Sequence, residues 1–242
     1  MPGRWVVVVP VKDATAGKTR LSAALDGRSR VALARAMALD TIAAAVGCPP
    51  VGLVVVVTGD EVVRREAPAL APSLGRLAGA SSDVATVRVV PEPPHAGQRS
   101  GLDAAAAAGV AAGRALVPTA QVGVLLGDLP ALRPDDLAEA LAAAEGHRRA
   151  LVPDAPGTGT TLLTVAAGVE FDSRFGVGSA AAHVALGYAP LDVDVASTLR
   201  HDVDLPVDLE RVRVLRPGPR TARLLDRLAR RDGRMTATGG TA

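Results

Sequence analysis

Two lysines, Lys12 and Lys18, stand six apart in "KDATAGKTR", directly after the apolar run "WVVVVPV" at residues 5 to 11. They are the only lysines among 27 basic residues, so a compact ammonium kept twice in one loop points to a task that a planar guanidinium does less well. Arg20 follows in the same loop. Far along the chain, Asp128 leaves the apolar stretch "VGVLL" in "GDLPAL", and "HDVDLPVDL" offers Asp202 and Asp204, whose side chains share a face if that segment is extended. Singly, Asp128 reads equally as a turn residue, and Asp202 and Asp204 as caps of a helix beginning "PVDLERV". Together with the loop cations they suit a hard divalent ion such as magnesium, which takes one or two carboxylates plus phosphate oxygens and water. The cationic loop would hold the rest of a triphosphate, and the two together would stabilise charge on an attacked phosphorus.

Gly17-Lys18-Thr19 supplies the end of a P-loop, but five residues before Gly17 stands Lys12 rather than Gly. The backbone cradle that a P-loop wraps around phosphates is therefore half missing, and the loop's cations come from side chains.

These residues need elements to position them. Apolar, β-branched runs alternate with Ala-rich helical stretches, the pattern of a largely parallel α/β sheet. Strands are expected at 5–11, 52–58, 86–90, 122–126, 150–153, 160–165 and around 191–195. Helices are expected over 26–46 after a Ser29 cap, over 100–116, over 133–146 with Pro134 and two Asp at its start, and over 180–187. Residues 72 to 83 read as a loop, and no 20- to 50-residue repeat appears. In open α/β sheets ligands bind at the carboxyl ends of strands, which is where the lysine loop and Asp128 fall.

The chain is long enough for one large domain. Its four aromatic residues, Trp5, Phe171, Phe175 and Tyr188, leave little for stacking single-stranded nucleic acid. No apolar run reaches the ~18 residues of a membrane span and no signal-peptide pattern opens the chain, so a cytoplasmic protein without nucleic-acid or membrane partners is expected. Cys48 has no partner for a disulfide and reads as a core or helix-end residue. From Arg211 to Arg234, nine Arg face two Asp, a local +7 that leaves −5 on the rest of a chain whose net charge is +2. The reading is a catalytic domain over 1–215, then an Arg-rich helix with a solvated face and a disordered tail over 216–242. His183 reads as a surface or satisfied core histidine.

The motifs "VVVPVKDATAGKTRL", "SGLDAAAAAG", "LLGDLPAL", "GTGTTLL", "RFGVGSAAAH" and "HDVDLPVDL" occur in an order that resembles the guanylyltransferases of coenzyme F-420 biosynthesis, called phosphoenolpyruvate or 2-phospho-L-lactate guanylyltransferases. The resemblance spans roughly residues 5 to 210. It implies a GT-A-like nucleotidyltransferase fold, a mixed, mostly parallel seven-stranded sheet flanked by helices. It also implies a reaction in which a phosphate oxygen of a three-carbon phospho-acid attacks the α-phosphorus of GTP, with Mg2+ as cofactor and a downstream transferase accepting the labile product. Carried onto this chain, Asp128 and Asp202 match the metal ligands, with Asp204 a third candidate, and Thr160, Gly176 and Ser179 match the phospho-acid site. A hydroxyl and N–H groups at a helix start suit such an anion. Lys12, Lys18 and Arg20 would meet the triphosphate.

Two positions depart from the family pattern. Gly101-Leu102-Asp103 stands where Gly-Leu-Asn is common, and Asp204-Leu205-Pro206 where Asp-Thr-Pro is. With Gly101 at the nucleotide, an Asp103 that reached the base would accept from guanine N1–H and N2–H2, donors that neither cytosine nor adenine presents in that arrangement. Leu205 brings no hydroxyl to the metal shell. Phosphoenolpyruvate is the expected acid, with 2-phospho-L-lactate and 3-phosphoglycerate as alternatives. A molybdenum-cofactor nucleotidyltransferase would show a Gly-rich "AGG" opening loop, which is lacking, and a non-catalytic nucleotide-binding module would not need Asp128 and Asp202.

Overall fold

Valine runs make the centre of the sheet because both of its faces are covered, so these strands are apolar throughout rather than alternating. The computed structural model describes residues 5–15, 19–71, 85–94 and 100–238. In chain order the main elements are β1 (Trp5–Val11), α1 (Gly27–Val46), β2 (Val51–Thr58), α2 (Glu61–Glu66), β3 (Thr86–Pro91), α3 (Gly101–Leu116), β4 (Val122–Leu125), α4 (Pro134–Ala144), β5 (Arg149–Pro153), β6 (Thr160–Val165), α5 (Ser179–Ala185), β7 (Ala189–Pro190), α6 (Pro206–Leu215) and α7 (Pro219–Thr238).

The seven strands lie in the order β3-β2-β1-β4-β6-β5-β7. β6 alone runs against its neighbours β4 and β5; every other pair is parallel. From β1 the chain builds outward through β2 and β3, then crosses to β4 on the other side of β1. That reversal opens a crevice beyond the carboxyl ends of β1 and β4. Trp5, Val7, Val9 and Val11 of β1 face α1 and α4, while Val6 and Val8 face α3. α3 approaches this second face closely through glycine: a Cβ on Gly109 would fall 2.2 Å from Val8 Cγ1. A third cluster joins Leu21, Leu33 and Met37 to Val203, Leu209 and Val212, and to Leu224 and Leu225 of α7.

Two local expectations are corrected. The cap of α1 is Asp26, whose carboxylate accepts from Ser29 N at 2.7 Å, so Ser29 sits inside the first turn. The last strand is Ala189–Pro190 rather than 191–195. Leu191 N still donates to Leu151 O, but Asp194 then accepts from Ala196 N at 2.8 Å and from Ser197 N through its carbonyl, turning the chain. The apolar alternation there imitates a strand that the aspartate turn prevents. Residues 72–83 lie outside the described residues. No helix is long and apolar enough to cross a membrane, among the described residues.

Candidate active site

A cleft of about 900 Å³ opens at the crevice. Lys12 and Asp13 enter it where β1 ends, and Gly127 and Asp128 where β4 ends. Gly127 permits this approach, since a Cβ there would meet Pro10 O at 3.2 Å. Leu129 N donates to Thr41 Oγ1 at 3.1 Å, fixing the turn to α1. Val203 N donates to the carbonyl of Asp128 at 3.1 Å, and its side chain is buried in the third apolar cluster. This bond helps dock the 201–204 segment against the end of β4. Asp202 and Asp204 flank Val203, and one oxygen from each of Asp128, Asp202 and Asp204 lies within 4.8 Å of the others. Three carboxylates converging this way form a hard, anionic donor set that fits a divalent cation.

Opposite lies the opening loop. Asp13 Oδ1 accepts from Thr15 N at 2.8 Å and Thr15 Oγ1 at 2.7 Å, bonds that hold its pKa below the usual carboxylate value and fold the loop into a local turn. Ala14 N donates to Asp60, a buried carboxylate that also caps α2 and accepts from Arg35 Nε at 2.9 Å. Lys12, Arg20 and Arg35 thereby line the cleft with positive charge. Lys18 lies outside the described residues.

The far wall is built from β6, the 173–178 turn and α5. Thr160 and Ser179 are buried yet line the cleft, as does Gly176. Gly176 and Gly178 have φ of 134° and 72°, backbone that an L side chain rarely adopts, which lets the turn fold back over α5. The N–H groups of Ser179 and Ala180 donate to Gly176 O and Thr158 O. Hydroxyls, rather than those two N–H groups at the helix start, are the polar groups offered here.

Asp103 needs correction. It is 4% exposed and faces inward: Oδ2 accepts from Ser100 Oγ at 2.6 Å, and Oδ1 accepts from Ser173 Oγ at 2.7 Å and Phe175 N at 2.9 Å. A carboxylate so engaged does not reach a nucleotide base. Gly101 opens α3 beside Leu102, which lines the cleft; Gly101 itself does not. Arg35 and Asp154 also line the cleft without having been signalled by the sequence. Arg35 is one of 25 arginines and carries no local motif.

His183 is a satisfied core histidine. It is wholly buried, edge-on to Phe175 with ring centres 5.0 Å apart, and burial pushes its pKa down to about 4, with Asp103 and Asp172 opposing the shift. Because this lies below the ordinary 6.5, the unfolded chain takes up a proton between those pH values while the folded chain does not. Stability is therefore expected to fall as pH drops from 6.5 toward 4. Urea unfolding at pH 6.5 and pH 5 should show about 1.5 kcal/mol more loss for the natural chain than for His183→Gln. Parallel losses would contradict the buried neutral state. Cys48 is likewise a core residue, its thiol pushed up to about 12 by burial.

A doubly wound sheet whose switch point gathers three carboxylates opposite cations is built to hold a divalent cation together with a phosphate-bearing ligand. The backbone resembles 4-diphosphocytidyl-2C-methyl-D-erythritol synthase, with TM-score 0.53 and 15% identity over 89% of this chain and 99% of that one. It also resembles a nucleotidyl transferase from Methanothermobacter thermautotrophicus, with TM-score 0.52 and 16% identity over 88% and 97%. At such identity the likeness concerns the fold. A family model described as "Guanylyl transferase CofC like" matches residues 5–71. The phosphoenolpyruvate guanylyltransferase of Sanguibacter keddieii is 50% identical, covering 93% of this chain and 86% of that protein. That of Streptomyces coelicolor is 45% identical over 93% and 97%. The chain belongs to the phosphoenolpyruvate guanylyltransferase family.

Proposed function

We propose that the protein condenses phosphoenolpyruvate with GTP, giving enolpyruvoyl-2-diphospho-5'-guanosine and pyrophosphate, as a step of coenzyme F-420 biosynthesis. The observation that carries this reading is the meeting of Asp128, Asp202 and Asp204 in one cleft with Lys12 and Arg20, in a chain whose relatives bear that activity in their names. The three carboxylates would hold Mg2+, which when bound supplies positive charge to the phosphate oxygens and lowers the barrier to attack at the α-phosphorus. Lys12 and Arg20, with Lys18 of the same loop, neutralise the triphosphate and the departing pyrophosphate. Gly101 would act on the nucleotide side only through the start of α3, where its neighbour Leu102 lines the cleft.

Thr160, Ser179 and the turn at Gly176 hold the acid, the Thr160 hydroxyl donating to its anionic oxygens. The acid's own phosphate oxygen is the nucleophile and is already ionised, so no protein nucleophile or general base is needed. Positioning and electrostatics carry the rate.

The test incubates the full chain with magnesium and GTP, adding phosphoenolpyruvate, 2-phospho-L-lactate or 3-phosphoglycerate in turn, and measures pyrophosphate and product mass. Product should form with phosphoenolpyruvate. Product from 2-phospho-L-lactate alone would replace the substrate assignment, and pyrophosphate release with none of the acids would end the reading.

A further inference from the structure

Behind the wall that carries Thr160, Gly176 and Ser179 lie two buried titratable side chains that the reaction does not use directly. His183 Nε2 accepts from Arg174 N at 2.9 Å, so that nitrogen carries no proton. The ring proton is then on Nδ1, which lies 3.0 Å from Thr160 Oγ1 and donates to it. Ser179 Oγ also donates to Thr160 Oγ1, at 3.3 Å. With its acceptor directions taken by these two donors, the Thr160 hydroxyl has its own proton left to give, and Thr160 lines the cleft. One residue either side of Arg174, Asp103 Oδ1 accepts from Ser173 Oγ and Phe175 N. Three consecutive residues, 173 to 175, are thus pinned to α3 and α5 immediately before the glycine turn.

We propose that Asp103 and His183 are positioning residues of the phospho-acid pocket: His183 commits the Thr160 hydroxyl to donate into the cleft, and Asp103 sets the height of the turn that carries Gly176. The inference rests on the assignment of Thr160, Gly176 and Ser179 to the acid. Neither residue touches substrate. Their effect falls on recognition of the acid while the triphosphate side, built on the loop after β1, is left as it is. The neutral imidazole accepts on one nitrogen and donates on the other from separate positions of a rigid ring, whereas an amide carries its acceptor and donor on one terminal carbon.

Substitutions can separate the two halves. In His183→Asn the amide reaches the Nδ1 position and keeps a donor for Thr160; in His183→Gln the amide reaches the Nε2 position and keeps an acceptor for Arg174 N. Steady-state kinetics with phosphoenolpyruvate, GTP and magnesium should show His183→Gln raising KM for phosphoenolpyruvate about tenfold with KM for GTP unchanged. His183→Asn should recover part of that loss. Asp103→Asn, which keeps an acceptor oxygen for Ser173 and Phe175 N, should change KM for the acid by less than threefold, and Asp103→Ala by about tenfold or more.

The decisive measurement is a double-mutant cycle. Thr160→Val alone should raise KM for phosphoenolpyruvate, and adding His183→Gln to Thr160→Val should raise it no further, since the histidine acts through that hydroxyl. Additive effects would overturn the proposal and leave a merely structural histidine. If Thr160→Val itself leaves KM for phosphoenolpyruvate unchanged, the acid-site assignment fails and the proposal falls with it. If Thr160→Val raises KM while the His183 variants do not, the positioning claim alone is wrong.

Discussion

Asp128→Asn is expected to lower kcat by about 10³-fold while leaving the fold intact. The substitution keeps the shape of the side chain and removes its charge, and the backbone bond from Val203 N to the Asp128 carbonyl at 3.1 Å does not depend on that charge. The 201–204 segment therefore keeps that bond, and the loss reports on the carboxylate's charge. Titration calorimetry with magnesium should show the same variant losing the cation. Asp202→Asn should behave similarly. Asp204 is exposed, where Asp128 and Asp202 are half-buried, so its loss should cost less, because water can replace a ligand at the open side of the site. Full activity in Asp128→Asn would remove the metal reading and with it the electrostatic account of the reaction.

The carboxylate positions were legible because each has a local signature. "GDLP" ends a valine run with the residues that stop a strand, and "DVD" alternates polar with apolar, so one buried valine forces two aspartates to a shared face. The strands β1, β2 and β4 were visible as valine-rich apolar runs, and β6 as a short β-branched stretch of Thr, Leu and Val. The reversed direction of β6 was not, since periodicity carries no sign: an antiparallel strand covered on both faces has the same composition as a parallel one. α2 was missed because six residues give too little periodicity and its cap, Asp60, has its meaning only through Ala14 and Arg35. The orientation of Asp103 was hidden for a similar reason. A carboxylate in the first turn of a helix is equally at home facing solvent or a ligand, and here donors 70 and 72 residues away decide that it points inward. His183 shows the same dependence, its two bonds being made to residues 9 and 23 positions distant.

Asp40→Ala should cost about 3 kcal/mol of stability through the C-terminal helix, by loss of charge-assisted bonds at a buried helix start. Asp40 is 4% exposed within α1, and its two oxygens accept from Arg220 N at 3.2 Å and Thr221 N at 2.7 Å, the first amides of α7. A carboxylate is favoured there by the helix dipole as well as by the bonds. Gly218 lies so close that a Cβ would fall 2.5 Å from Asp40 Cγ, and its N–H donates to Pro130 O at 2.8 Å, two residues from Asp128. Asp40→Asn, which retains one acceptor oxygen, should lose about half as much. Urea unfolding at pH 7 measures both, and an Asp40→Ala chain as stable as the natural one would show that apolar packing alone docks the helix. The consequence extends to the cleft. Leu224 and Leu225 pack in the same cluster as Leu21, which follows Arg20, and Val203, which separates Asp202 from Asp204. The outward face of this region is basic, with Arg223, Arg227, Arg230 and Arg231 exposed. Its inward face is the support on which a loop cation and two of the three carboxylates rest, so loosening α7 should lower activity at temperatures below global unfolding.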